Sequence, residues 1–168
     1  MEHMFIYDTP IGKIGILDDG SAITEIRFLP GSADTDPSVP SGIWEETELI
    51  REAFQELSEY FKGIRKEFQV PLNPNGTEFQ RKVWKVLQGI PYGETRSYGQ
   101  VAADAGNPKA ARAVGMANNR NPIPIMIPCH RVIGADGSLT GYGGGLPIKV
   151  YLLGLEKKES DAQKAAQK

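Results

Sequence analysis

One cysteine, two histidines and no long apolar run set the first limits on this 168-residue chain. A lone thiol, Cys129, excludes an internal disulfide, and with only His3 and His130 beside it there is no cluster for zinc. Neither a metal nor any other cofactor is expected. No apolar stretch approaches the length that crosses a bilayer, and MEHMFIYDTP lacks a basic region followed by an apolar one. A cytoplasmic protein, or a nuclear one in a eukaryote, without membrane contact is therefore expected. The glycine-rich stretch near the C-terminus is not followed by Gly-Lys-Ser or Gly-Lys-Thr, which removes a P-loop reading. What is present is ordinary for a globular protein, 40% hydrophobic and 24% charged, and long enough for one domain or two small ones.

The net charge of −2 conceals a contrast. Residues 1–73 hold 6 Lys+Arg against 14 Asp+Glu, or −8; residues 74–157 hold 10 against 5, or +5; the remainder is +1. Chance segregation is one explanation. The other is that the C-terminal part meets a polyanion while the N-terminal part faces away from it.

In the N-terminal half, MFIYDTP, KIGILDD and AITEIRFL are short β-rich segments separated by Pro10-Ile11-Gly12 and Asp18-Asp19-Gly20, which predicts an antiparallel meander with tight turns. Residues 30–42 have turn composition and read as an exposed loop. Over 44–61, Ile50, Ala53, Phe54, Leu57, Tyr60 and Phe61 recur at three and four, an amphipathic helix that Gly63 ends. No catalytic grouping is visible in this half, and His3 reads as inert. LNPNG, 72–76, reads as the join between two domains.

The C-terminal half opens with a helix capped by Thr77 and running to about 87, with Phe79, Val83, Val86 and Leu87 on its buried side. A short helix from about Ser97, a turn at Gly106-Asn107 and a second helix from Pro108 predict a helix-turn-helix. Ala110, Ala111, Ala113, Gly115 and Ala117 leave the second helix almost bare, with Arg112 the one long side chain in its first two turns. Small residues permit close approach to another surface or to the rest of the domain. An arginine alone among them suits a phosphate or insertion between bases. GADGSLTGYGGGLP reads as a binding loop around Tyr142, and a last helix is expected over 147–155, ending at Glu156, with a flexible tail over 158–168.

Between these helices lies NPIPIMIPCHRVIG, 121–134. Pro122, Pro124 and Pro128 hold the approach extended, and Ile123, Ile125, Met126 and Ile127 read as a short buried strand. Cys129 alone could be a small core residue. The His130-Arg131 pair after it argues otherwise, because burying both without partners is costly, whereas two cations beside a thiol favour the nucleophilic thiolate.

The run IPCHRVIG resembles the active-site signature of the O6-alkylguanine-DNA alkyltransferases. The close match covers 77–156; the N-terminal match is weak. The resemblance implies a ribonuclease H-like α/β scaffold over 1–72, with an antiparallel sheet plus helix. It implies a mostly α domain with a helix-turn-helix, winged-helix-like, over 73–157. The zinc ligands that some members carry in the N-terminal domain are missing here. The implied activity is stoichiometric, irreversible transfer of an alkyl group from O6-alkylguanine, with O4-alkylthymine a further candidate, to Cys129. The partner would be double-stranded DNA, bound through the minor groove by a monomer with the damaged nucleotide flipped out.

By the same resemblance, His130 takes the thiol proton through a water and Glu156, 27 residues after Cys129, orients the imidazole. Asn121, 8 residues before the cysteine, ties the turn between the two helices to the cysteine segment. Tyr98 crowds the phosphate and hydrogen-bonds a ring nitrogen of the leaving base, and Arg112 replaces that base in the stack. Tyr142 or the Gly143 amide approaches O6, the carbonyls of Cys129 and Val132 accept from the guanine amino group, and Lys149 belongs to the substrate-binding set. Pro124 offers an apolar surface to a benzyl adduct. Taken singly, Tyr98 reads as a half-buried aromatic, Glu156 as a surface charge and Asn121 as a loop cap; their joint spacing carries the resemblance. A cysteine hydrolase would share Cys and His but turn over, whereas a thioether product would not. Alkyltransferase-like sensors carry tryptophan at the position of Cys129.

Overall fold

The computed structural model describes residues 2–29, 43–139, 141–142 and 144–166, and these form two compact units, Met1–Asn75 and Gly76–Lys168. The division falls inside the 72–76 stretch expected to join two domains. No helix among the described residues is long and apolar enough to cross a membrane.

In the first unit, β1 (His3–Thr9), β2 (Gly12–Asp18) and β3 (Ile23–Leu29) form the expected antiparallel meander. A short β4 (Ile43–Trp44) adds parallel to β1, giving the order β3-β2-β1-β4. The first turn needs Gly12, which sits at φ 104°, a conformation costly for any residue with a Cβ. Helix α1 (Glu48–Phe61) covers the sheet through Ile50, Ala53 and Leu57, all fully buried, and through Phe54, whose ring stacks on Tyr7 at 3.9 Å. The helix expected from residue 44 thus begins four residues later. Thr47 is its cap, with Oγ1 accepting from the Ile50 amide at 3.1 Å, and Trp44 belongs to the strand before it. The loop expected over 30–42 lies outside the described residues. His3 pairs with Asp18 at 2.8 Å, and Asp18, 1% exposed, also accepts from Thr47 Oγ1 at 2.5 Å. One carboxylate so ties β1, β2 and the cap of α1 together, a structural use for His3.

In the second unit, α2 (Glu78–Gln88) begins with a reciprocal cap between Thr77 and Gln80. Its buried face is Val83, Trp84 and Leu87, with Phe79 and Val86 only half-buried. Two-residue strands β5 (Arg96–Ser97) and β6 (Val132–Ile133) pair in parallel. Helix α3 (Tyr98–Asp104), capped by Ser97, and α4 (Ala111–Asn119) make the helix-turn-helix. The second helix starts at Ala111 rather than Pro108. Asn107 closes a separate turn first, its Oδ1 taking the Lys109 amide at 3.2 Å and its carbonyl the Ala110 amide at 3.0 Å. The last helix, α5 (Leu146–Ala166), does not stop near 155 but runs through most of the expected tail. After Gly154 the sequence LEKKESDAQKAA contains no glycine or proline and is rich in strong helix formers.

Candidate active site

The approach to Cys129 is buried as expected, with Ile123, Ile125, Met126 and Ile127 all at 5% exposure or less, but it is not a strand. Three prolines remove the donors a ladder needs. The chain folds back instead: the Ile127 amide donates to the Ile123 carbonyl at 2.9 Å and the Met126 amide to that of Pro124 at 2.9 Å. Ile125 is left at φ 73°, the only described non-glycine residue with positive φ, a strain of about 1–3 kcal/mol for a β-branched side chain. Asn121 closes this loop, donating from Nδ2 to the Ile127 carbonyl at 2.8 Å and accepting the Ile123 amide at 3.0 Å. Its tie is therefore within the cysteine segment, not to the turn between the helices. Pro124 is buried in the same loop.

Cys129 then opens a single 3₁₀ turn, Cys129–Arg131, that leads directly into β6. His130 is fully buried, and its Nε2 lies 2.6 Å from Glu156 Oε2. Glu156 is an ionised acceptor, so Nε2 carries the hydrogen and Nδ1 keeps its lone pair. That Nδ1 is buried and has no hydrogen-bond partner among the described residues. Burial holds the imidazole below its ordinary pKa against the opposing pull of Glu156, so the resting ring is neutral with a free basic nitrogen.

Arg131 turns away from the thiol. Its Nε and Nη2 bracket the two Glu156 oxygens at 2.8 and 3.0 Å, Nη1 donates to the Ile90 carbonyl at 2.7 Å, and the guanidinium stands 5.7 Å from the centre of the Tyr92 ring. The Gly93 amide adds a fourth donor to Glu156 at 3.2 Å. Burial alone would raise this carboxyl; hydrogen bonds and charge from His130 and Arg131 outweigh it and hold the pKa at about 2. The expectation of two cations stabilising a thiolate is thereby corrected. Burial pushes the Cys129 thiol up to about 11, although Asn121, the Lys149 charge and the Tyr142 hydroxyl all act to lower it. The resting nucleophile is a protonated thiol.

Lys149 is 0% exposed and donates from Nζ to the Val132 carbonyl at 2.7 Å, so it braces the cysteine turn from α5. The Cys129 carbonyl accepts from the Val132 amide and from Asn118 Nδ2 at 3.2 Å. Both carbonyls expected to meet a guanine amino group are thus already engaged. Tyr142 is half-buried, and burial first, then the neighbouring Cys129, push its hydroxyl well above the ordinary phenol pKa. Gly143 lies outside the described residues. Tyr98 is the first residue of α3, half-buried, with its ring against Gly115 of α4, where an added Cβ would stand 3.8 Å away. Arg112 is exposed on α4 with Met116, 60% exposed, one turn beyond it, while Val114, Ala117 and Asn118 form the buried face.

Two contributors have roles that the sequence does not disclose: Arg131 reads there only as a charge near the thiol, and the signal for Asn118 is the 114, 117, 118 spacing that places it on the buried face of α4. The helix carrying Arg112 is anchored at this end by Asn118 and by Trp84 Nε1, which donates to the Ala117 carbonyl at 2.8 Å.

Fold and site together define a two-domain protein whose helix-turn-helix unit holds a buried cysteine beside a histidine-glutamate pair. Comparison with known proteins agrees over both units. Residues 4–74 match the ribonuclease-like domain, and residues 78–158 the DNA binding domain, of 6-O-methylguanine DNA methyltransferase. The methylated-DNA–protein-cysteine methyltransferase of Methanosarcina acetivorans is 53% identical over 90% of this chain and 96% of its own length. The crystal structure of Mycobacterium tuberculosis O6-methylguanine methyltransferase superposes with a TM-score of 0.86 at 48% identity, covering 95% of this chain and 94% of that one. The M. tuberculosis OGT structure in complex with DNA gives 0.83 at 48% identity, with 94% of each chain covered. The chain belongs to the 6-O-methylguanine DNA methyltransferase family.

Proposed function

We propose that this protein repairs DNA by transferring an alkyl group from O6-alkylguanine to Cys129, as a methylated-DNA–protein-cysteine S-methyltransferase that is consumed by its own reaction. The observation that carries this reading is the buried thiol at the head of the Cys129–Arg131 turn, followed by a histidine whose far nitrogen is fixed by Glu156 at 2.6 Å. In the transfer, the Cys129 proton passes through a water to His130 Nδ1, sulfur forms a bond to the alkyl carbon, and the carbon–O6 bond breaks. The electron pair returns to guanine, which takes up one proton, and Tyr98 assists by hydrogen bonding to a ring nitrogen. Glu156 steadies the imidazolium that forms. The thioether product is not cleaved by water, so one protein repairs one base.

The exposed side of α4, with Arg112 and no acidic residue in the helix, supports binding to duplex DNA through the minor groove with the damaged nucleotide flipped out. Arg112 fills the vacated stack; Tyr142, Val132 and Pro124 line the base pocket, and Lys149 supports it from behind. A monomer without cofactor suffices for this chemistry, in the cytoplasm or, in a eukaryote, the nucleus. O4-alkylthymine is a further candidate for the same pocket. The decisive experiment is intact mass spectrometry after mixing with duplex DNA containing O6-methylguanine. One added methyl group, mapped to Cys129, is expected; an unmodified protein beside intact O6-methylguanine overturns the proposal.

A further inference from the structure

Asn118 is the one buried polar side chain on α4, 2% exposed and next to last in the helix. Asparagine is a poor residue for a helix interior, and burying an amide without full hydrogen bonding is costly. Here Oδ1 is buried with no partner among the described residues. A leucine of similar size would spare that cost. What the amide does supply is one donor, Nδ2, to the Cys129 carbonyl at 3.2 Å. That carbonyl begins the peptide joining Cys129 to His130, so a bond to it sets the plane from which both the thiol and the imidazole project. Among the described residues no other hydrogen bond runs from α4 directly to the cysteine turn; the Asn121 bonds lie within the loop itself. The same helix presents Arg112 and Met116 outward on its opposite side.

We infer that Asn118 is a positioning residue that couples the seating of the exposed α4 helix to the placement of the Cys129 nucleophile. The inference rests on the alkyl-transfer reading above and adds to it. Displacement of a reacting atom by about 1 Å can cost up to 100-fold in rate, whereas the outward face of α4 is untouched by a change at 118.

The test uses full-length protein in single-turnover assays with duplex DNA containing O6-methylguanine and, separately, free O6-benzylguanine. Asn118→Leu should lower the rate constant at saturating DNA by about 10- to 100-fold while leaving the dissociation constant within about threefold. The loss should be similar on free base, since thiol placement serves both substrates. Asn118→Gln, which keeps a donor on a longer arm, should recover part of the rate. Thermal unfolding of each variant separates this from loss of fold, and Asn118→Leu should melt within a few degrees of wild type because it removes an unmet polar atom. A wild-type rate constant in Asn118→Leu, or a loss in parallel with DNA affinity or melting temperature, overturns the inference. Absence of methyl transfer by wild-type protein would instead sink the proposed function, so the two failures are distinct.

Discussion

Replacing Glu156 with glutamine removes one negative charge from a place where four N–H groups converge: His130 Nε2 at 2.6 Å, Arg131 Nε and Nη2 at 2.8 and 3.0 Å, and the Gly93 amide at 3.2 Å. Glutamine fits the volume, but its amide nitrogen must face a donor on either His130 or Arg131. The guanidinium, 5% exposed, then loses its counter-charge. Breaking a buried pair by removing one partner costs about 3–5 kcal/mol. A second route gives a similar size. A carboxyl held at about 2 against an ordinary 4.5 corresponds to about 3 kcal/mol of folding stability. The folded pKa is the depressed one, so this contribution is whole above 4.5 and drains away as pH falls from there through about 2. Urea unfolding read by tryptophan fluorescence measures it. In a Trp44→Phe background the signal comes from Trp84, 1% exposed in the C-terminal unit. Glu156→Gln should lose about 3–5 kcal/mol near pH 7 and less than half of that at about pH 3. Equal stability near neutrality, or a gap of the same size at both pH values, would refute the claim that the ionised carboxylate holds this turn.

Cys129→Ser should abolish alkyl transfer while duplex binding persists, because a hydroxyl occupies similar space but is a poor nucleophile; in wild type, repaired guanine should never exceed protein in moles, and sustained turnover would favour a cysteine hydrolase. Arg112→Ala should slow repair of duplex DNA by roughly tenfold or more yet leave reaction with free O6-benzylguanine nearly unchanged, and equal losses on both would give Arg112 another role. The pH–rate profile should level off between about pH 7 and 9, because His130 is held below its ordinary pKa by burial and is already a neutral base there. A thiol at about 11 that had to ionise unaided would instead quicken close to tenfold per pH unit.

The elements legible in the sequence were those with local signals. The three strands and their turns, the Thr77 and Ser97 caps and the period of α1 all declare themselves within a few residues, and the structure keeps them. Boundaries moved where a side chain outranked composition, as at Thr47 and Asn107, or where helix formers continued unbroken past Glu156. The site was legible as a set of residues and illegible as a circuit. In Cys-His-Arg, adjacency along the chain suggests two cations crowding one thiol. A 3₁₀ turn advances about 120° per residue, so three consecutive side chains leave it in three directions. His130 and Arg131 consequently reach Glu156 on α5, 26 and 25 positions further along the chain, and neutralise one another's surroundings there instead of activating the sulfur directly. A protonated resting thiol follows, and on the proposed reaction it waits for His130, whose Nδ1 is buried without a partner among the described residues. On the proposed single-use reaction, the same burial guards the only cysteine in the chain against oxidation and adventitious alkylation.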